Sequence, residues 1–177
     1  DLGVFRAMEA ELGRRLTLHE VIATEMATVT APLAEVVGWL VQHAALRPGF
    51  AELVRDHRPV VVSAGFHELI EPLLARERLD VPLLANRIVD PAPTGWRVAF
   101  RDTVPCRVCG EPCKRAAAVA GGPFAYVGDG MSDRCAALAA ERVFARAGLA
   151  RYLDDAGVAY EGFDDLHDVA AALSASR

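Results

Sequence analysis

Phe124-Ala125-Tyr126-Val127-Gly128-Asp129-Gly130-Met131-Ser132-Asp133 is the stretch that decides the architecture of this chain. A short apolar run stopped by Gly-Asp-Gly predicts a strand buried on both faces, with Ser132 capping a helix that runs through Glu141. Such strands belong to parallel sheets covered by helices. The same pattern recurs outward along the chain. Pro59-Val60-Val61-Val62-Ser63, bounded by Ala64-Gly65, predicts a second buried strand, and Val143-Phe144-Ala145 a third. Between them lie a helix with Leu69, Ile70, Leu73 and Leu74 on one side and an Ala-rich helix from Lys114 to Ala120. Leu83 to Val89 and Trp96 to Arg101 predict a hairpin turning through Pro91-Ala92-Pro93-Thr94-Gly95. A helix, a short strand near Val158 to Tyr160 and a terminal helix close the chain. This alternation implies an α/β fold, a Rossmann-like three-layer parallel sheet with right-handed crossovers.

Before Pro59 the pattern is helical. Leu2, Phe5, Met8 and Leu12 recur at three- and four-residue spacing, and Thr17 with Glu20 forms a capping box for a helix through Met26. Pro32 opens a further helix carrying Leu33, Val36, Val37 and Leu40, and a short one runs from Phe50 to His57.

Composition narrows the function classes. The chain has 177 residues, 53% of them hydrophobic, and a net charge of −5. The charge argues against a nucleic-acid partner, which calls for a basic stripe. No apolar run is long enough to span a bilayer, so no membrane partner is expected. The start Asp1-Leu2-Gly3, with Glu9, Glu11, Arg14 and Arg15 close behind, is unlike a signal peptide, and the expected compartment is cytoplasmic. Four cysteines are too few for a secreted disulfide scaffold. Cys106, Cys109 and Cys113 fall within eight residues and read as a metal knuckle or a redox pair, three of the four ligands that zinc takes. Cys135 reads as a small core residue, with packing near Lys114 as the alternative.

Ligands of open parallel sheets sit beyond the carboxyl ends of the strands, and two polar clusters fall there. Ser63-Ala64-Gly65-Phe66 offers a hydroxyl and close-approach amides suited to an oxyanion such as phosphate, or simply an ordinary strand-to-helix cap. Gly128-Asp129-Gly130-Met131-Ser132-Asp133 offers two carboxylates four residues apart, suited to a hard cation such as Mg²⁺, or an Asp-Gly turn with Asp133 favouring the helix dipole. Lys114 opens a helix, where a cation suits the dipole only if an anion is near. Of the five histidines, His67 alone stands beside the first cluster, where with Phe66 it could line a substrate pocket or sit on the helix surface.

In order and spacing, these three features resemble motifs two, three and four of the haloacid dehalogenase superfamily of phosphatases. Ser63-Ala64-Gly65-Phe66 is similar to the Ser-Gly-Gly-Phe of phosphoserine-phosphatase-like members. Glu71-Pro72-Leu73-Leu74 resembles the methylthiopentenyl-phosphate phosphatase branch, as does the Cys-rich approach to Lys114, a feature shared with phosphocholine/phosphoethanolamine phosphatases. The resemblance implies a helical cap over residues 1–46, incomplete at its N-terminus, and an α/β core over residues 47–177. It implies hydrolysis of a small phosphorylated metabolite through an aspartyl-phosphate, with Mg²⁺ as cofactor. Asp129 would ligate the metal, and Asp133 would orient Lys114 or hold a metal-bound water. Lys114, Ser63, Ala64 and Gly65 would bind the phosphoryl group. For the cysteines it favours a structural or substrate-loop role over a zinc knuckle. Phosphotransfer to another small molecule, or a non-catalytic zinc- or phospholigand-binding module, are the rival readings. The family's first motif, a strand ending Asp-x-Asp-x-Thr, does not occur in these residues. The expectation is a native N-terminal segment that carries this strand and its nucleophile. Without it these residues should be inactive.

Overall fold

A computed structural model describes residues 15–175. The helical pattern at Leu2, Phe5, Met8 and Leu12 lies outside the described residues. The described elements run α1 (Leu18–Ala27), α2 (Leu33–His43), α3 (Phe50–His57), β1 (Val61–Phe66), α4 (His67–Arg76), β2 (Leu83–Ala92), β3 (Gly95–Ala99), α5 (Arg115–Val119), β4 (Ala125–Gly128), a 3₁₀ turn (Met131–Asp133), α6 (Arg134–Ala137), β5 (Arg142–Ala145), α7 (Ala147–Ala156), β6 (Glu161–Gly162) and α8 (Leu166–Ser174). Two three-stranded sheets result, ordered β1-β2-β3 and β4-β5-β6.

The second sheet is parallel throughout. Tyr126 pairs with Val143 and Val127 with Phe144, so successive residues face opposite sides. Tyr126, Val143 and Ala145 pack with Ala136, Ala137, Leu149 and Leu153 from α6 and α7. On the other face Phe144 packs with Leu53 of α3 and with Leu166, Val169 and Ala170 of α8, and Val127 joins them. Helices therefore cover both faces, the three-layer α/β arrangement expected of such a sheet. Only β5 is buried along most of its length; β1 and β4, expected to be buried, are largely half-buried, and Ala125 is exposed. This unit comprises Ala45–Ser63, Leu74–Leu84 and Asp102–Arg177.

The other unit gathers the described residues up to Ala44 with Ala64–Leu73 and Ala85–Arg101. Its core is Phe66, Ile88 and Trp96, packed against Ile22, Met26, Leu33 and Val36 from the helices. Trp96 donates its indole N–H to the Ala31 carbonyl at 3.0 Å, so the largest buried side chain leaves no polar atom unpaired. The Thr17 capping box forms: the Glu20 carboxylate accepts the Thr17 amide at 2.8 Å and the Thr17 hydroxyl accepts the Glu20 amide at 3.2 Å. The β2-β3 hairpin forms too, with a register irregularity between Ile88 and Asp90.

Predicted boundaries are corrected at four places. The hairpin turns through Pro93-Thr94 alone, since β2 runs on to Ala92 and β3 begins at Gly95 and ends at Ala99. β1 does not stop at Ser63 but continues through Ala64 and Gly65 to Phe66. Asn86 donates from its side chain to the Ala64 carbonyl at 2.9 Å, and Phe66 is drawn into the core, so the extended backbone persists. Ser132 does not cap a helix to Glu141. A 3₁₀ turn precedes α6, Asp133 is its N-cap, and α6 ends at Ala137. The last strand lies at Glu161–Gly162 and not at Val158–Tyr160. Gly157, at φ +65°, closes α7 with the Val158 amide on the Leu153 carbonyl, and the next residues are spent reaching the sheet edge.

Candidate functional site

The site is built around one buried carboxylate. Asp133 stands at the end of the 3₁₀ turn and is 5% exposed. Its Oδ1 accepts from the Lys114 ammonium at 2.7 Å and from the Tyr126 hydroxyl at 2.9 Å. Its Oδ2 accepts the backbone amides of Gly130 at 2.9 Å and Asp129 at 3.1 Å. A carboxylate stripped of water is costly unless paired and hydrogen-bonded, and here both oxygens are. Burial alone would raise the Asp133 pKa. The Lys114 charge, its hydrogen bond and those of Gly130 and Tyr126 outweigh that, and the group is held below the usual aspartate range. Burial, then the Asp133 charge, pushes the Tyr126 phenol far up, so it remains a neutral donor.

This network shapes the loop after β4. A methyl on Gly128 would lie 2.8 Å from Cγ and Oδ2 of Asp133, so the close approach admits only glycine. Asp129 is pinned at both ends of its residue, its amide on Asp133 and its carbonyl accepting from the Leu149 amide at 3.1 Å. Its carboxylate is left pointing outward, 57% exposed, with the Arg47 guanidinium 3.9 Å away. A rigidly held, outward carboxylate is the kind of single protein ligand that Mg²⁺ takes when water and phosphate fill the remaining positions. The donor set at Asp129 fits that ion.

The structure thus brings Lys114, Asp129 and Asp133 together. Ser63 lies in β1 within the same unit, and Ala64, Gly65, Phe66 and His67 belong to the other. Phe66 is 6% exposed and sits in a hydrophobic cluster. His67 begins α4 and pairs through Nδ1 with Glu71 at 2.7 Å, its side chain only 15% exposed. Tyr126 and Arg47 escaped the sequence reading, since a tyrosine inside a buried strand carries no local signal beyond its apolarity.

A second cluster lies in the same unit. The Sγ atoms of Cys106, Cys109, Cys113 and Cys135 are all within 4.8 Å of one another. Cys135 is buried, as expected of a core residue, and also meets the other three. The amides of Cys109 and Val108 hold the Cys106 thiol down, to about 6, while burial pushes Cys135 up, to about 11.

A family model described as haloacid dehalogenase-like hydrolase matches residues 5–138. The chain belongs to this family. Within it, the chain is 27% identical over 181 aligned residues to a 2-hydroxy-3-keto-5-methylthiopentenyl-1-phosphate phosphatase of Brevibacillus brevis, covering 93% of this chain and 80% of the relative. It is 25% identical to the polyol phosphate phosphatase PYP1 of Saccharomyces cerevisiae, covering 82% and 70%. The crystal structure of phosphoserine phosphatase from T. onnurineus in complex with NDSB-201 superposes with a TM-score of 0.64 at 13% identity, over 97% of this chain and 80% of that one. That last likeness carries the haloacid dehalogenase fold. Among the described residues no helix is long and apolar enough to cross a membrane.

Proposed function

We propose that this haloacid dehalogenase-like protein is a Mg²⁺-dependent phosphomonoester hydrolase acting on a small phosphorylated metabolite. The observation that carries the proposal is the buried Lys114–Asp133 pair beside an outward, backbone-pinned Asp129. Phosphoryl transfer asks little of a protein beyond positioning and charge neutralisation, and these residues supply both. Asp133 holds the Lys114 ammonium in place and fixes the 128–130 loop. Lys114 neutralises charge on the phosphoryl oxygens. Asp129 would hold Mg²⁺, which when bound polarises the phosphoryl group and draws nucleophile and substrate together. Ser63 is the further phosphoryl ligand that the family resemblance suggests. Both similar curated proteins are named phosphatases of small phosphorylated molecules, and this supports the substrate class. Four free thiols suit a reducing compartment, and the proposed location is the cytoplasm.

The route proposed is attack by an aspartate to give an aspartyl-phosphate, which water then hydrolyses. The attacking residue belongs to an Asp-x-Asp-x-Thr motif that these 177 residues do not contain. The test uses the full-length gene product. Small phosphomonoesters are supplied with Mg²⁺, with and without a large excess of an acceptor alcohol. Release of inorganic phosphate in both cases is the expected result. A phosphorylated acceptor as the main product would replace hydrolysis by phosphotransfer, and no turnover of any phosphomonoester would refute the reading.

A further inference from the structure

The segment between β3 and α5, residues 100–114, has no regular secondary structure, and none of its residues is buried. Val104 is 79% exposed and Val108 62% exposed. Yet this segment delivers Lys114 to Asp133 at 2.7 Å. An irregular stretch of this length without a core of its own needs some other restraint.

The four cysteines stand where that restraint would act. Cys106 and Cys109 form a Cys-x-x-Cys turn, closed by the Gly110 amide on the Cys106 carbonyl at 2.8 Å and the Cys106 amide on the Glu111 carbonyl at 3.0 Å. Gly110 takes the left-handed conformation this turn requires, at φ +79°. The Val108 amide points at the Cys106 sulfur from 3.4 Å, the outer-shell hydrogen bond that metal-bound thiolates take. Cys113 immediately precedes Lys114, and Cys135 lies two residues after Asp133. All four sulfurs lie within 4.8 Å of one another and Cys106 and Cys135 are 3.8 Å apart, close to a tetrahedron of sulfurs around one ion, whose edge is about 3.8 Å for a metal–sulfur bond of about 2.3 Å.

We propose that Cys106, Cys109, Cys113 and Cys135 bind one structural zinc ion that ties the 100–114 segment to α6. All four positions of the tetrahedron are filled by protein, so the ion has no open site and takes no direct part in chemistry. On binding, the thiols give their protons to solvent and coordinate as thiolates. The ion would clamp both partners of the Lys114–Asp133 pair from one side, one through Cys113 and the other through Cys135. This proposal stands independently of the phosphatase reading.

The full-length protein, purified under reducing conditions without chelator, is analysed for metals, and cobalt(II) is then exchanged into it. The expected result is about one zinc per chain, with the intense visible absorption of tetrahedral thiolate-bound cobalt after exchange. Cys135→Ser, the ligand remote in sequence, should lose most of the metal. If that variant does not fold, Cys109→Ser, at the exposed ligand, gives the same reading. Metal-free protein with four titratable thiols would overturn the proposal. So would iron in place of zinc, a Cys106–Cys135 disulfide under reducing conditions, or full zinc retention by both variants.

Discussion

Asp133 carries a charge in a place where water does not reach it, and its consequences are testable at the scale of one side chain. Its folded-state pKa lies below the unfolded aspartate value of about 3.9, so the native protein binds fewer protons than the unfolded chain. The stabilisation is therefore fully present above about pH 4 and is lost as the pH falls through the folded-state value. Asp133→Asn leaves the Lys114 ammonium buried opposite a neutral group, at a cost on the order of 3–5 kcal/mol near neutrality. Urea unfolding across a pH series should show wild type and variant far apart at pH 6 and drawing together as the pH falls below about 4. Parallel curves would mean that Asp133 carries no depressed pKa. The pair was legible in the sequence as two residues of one motif set. Its further partners, the Tyr126 hydroxyl and the Asp129 and Gly130 amides, were not, because a strand side chain and a backbone N–H announce nothing until the loop is folded over them.

Among the elements, the β4 strand with its 128–133 loop is the unit on which the site depends. Gly128→Ala would press a methyl against an Asp133 side chain that four partners prevent from moving away. Overpacking of this kind costs about 1–3 kcal/mol, read as a lower urea midpoint at unchanged slope, and should reduce activity with it. A neutral substitution would show that the loop can yield. Local signals were reliable where local chemistry decides the outcome. The Thr17 capping box and the Phe50–His57 helix form as the sequence predicts. They failed where tertiary partners decide. β1 runs on to Phe66 because Asn86, 22 positions from Ala64, holds its backbone. Ser132 yields the N-cap to Asp133, whose carboxylate is already committed to the upstream amides. The fourth cysteine was invisible as a ligand for the same reason. Cys135 reaches the other three only once β4 and the 3₁₀ turn have brought it back beside the 100–114 segment.

For the molecule as a whole, the alternation of strands and helices was sufficient to give the α/β class, and in the parallel β4-β5-β6 sheet the Tyr126/Val127 and Val143/Phe144 register shows why: each strand feeds both helical layers. Among the described residues, β1 carries Ser63 and β4 leads into the Asp129 loop. Membership of the haloacid dehalogenase-like hydrolases was written in motifs that are individually short but ordered, and these fall at Ser63, Lys114 and Asp129 to Asp133. Substrate choice was not, since the residues that would set it match no motif. The central claim is that the outward carboxylate of Asp129 makes phosphoryl chemistry metal-dependent. Its most direct test is the rate of phosphate release by full-length wild type and Asp129→Asn as Mg²⁺ is titrated, with thermal unfolding run alongside. The account predicts saturable Mg²⁺ dependence in the wild type and a loss of at least about a hundredfold in the variant at an unchanged melting temperature, a single electrostatic group being worth that much in such sites. Equal turnover by the two proteins, or turnover by the wild type that ignores Mg²⁺ and its removal by chelator, would contradict it.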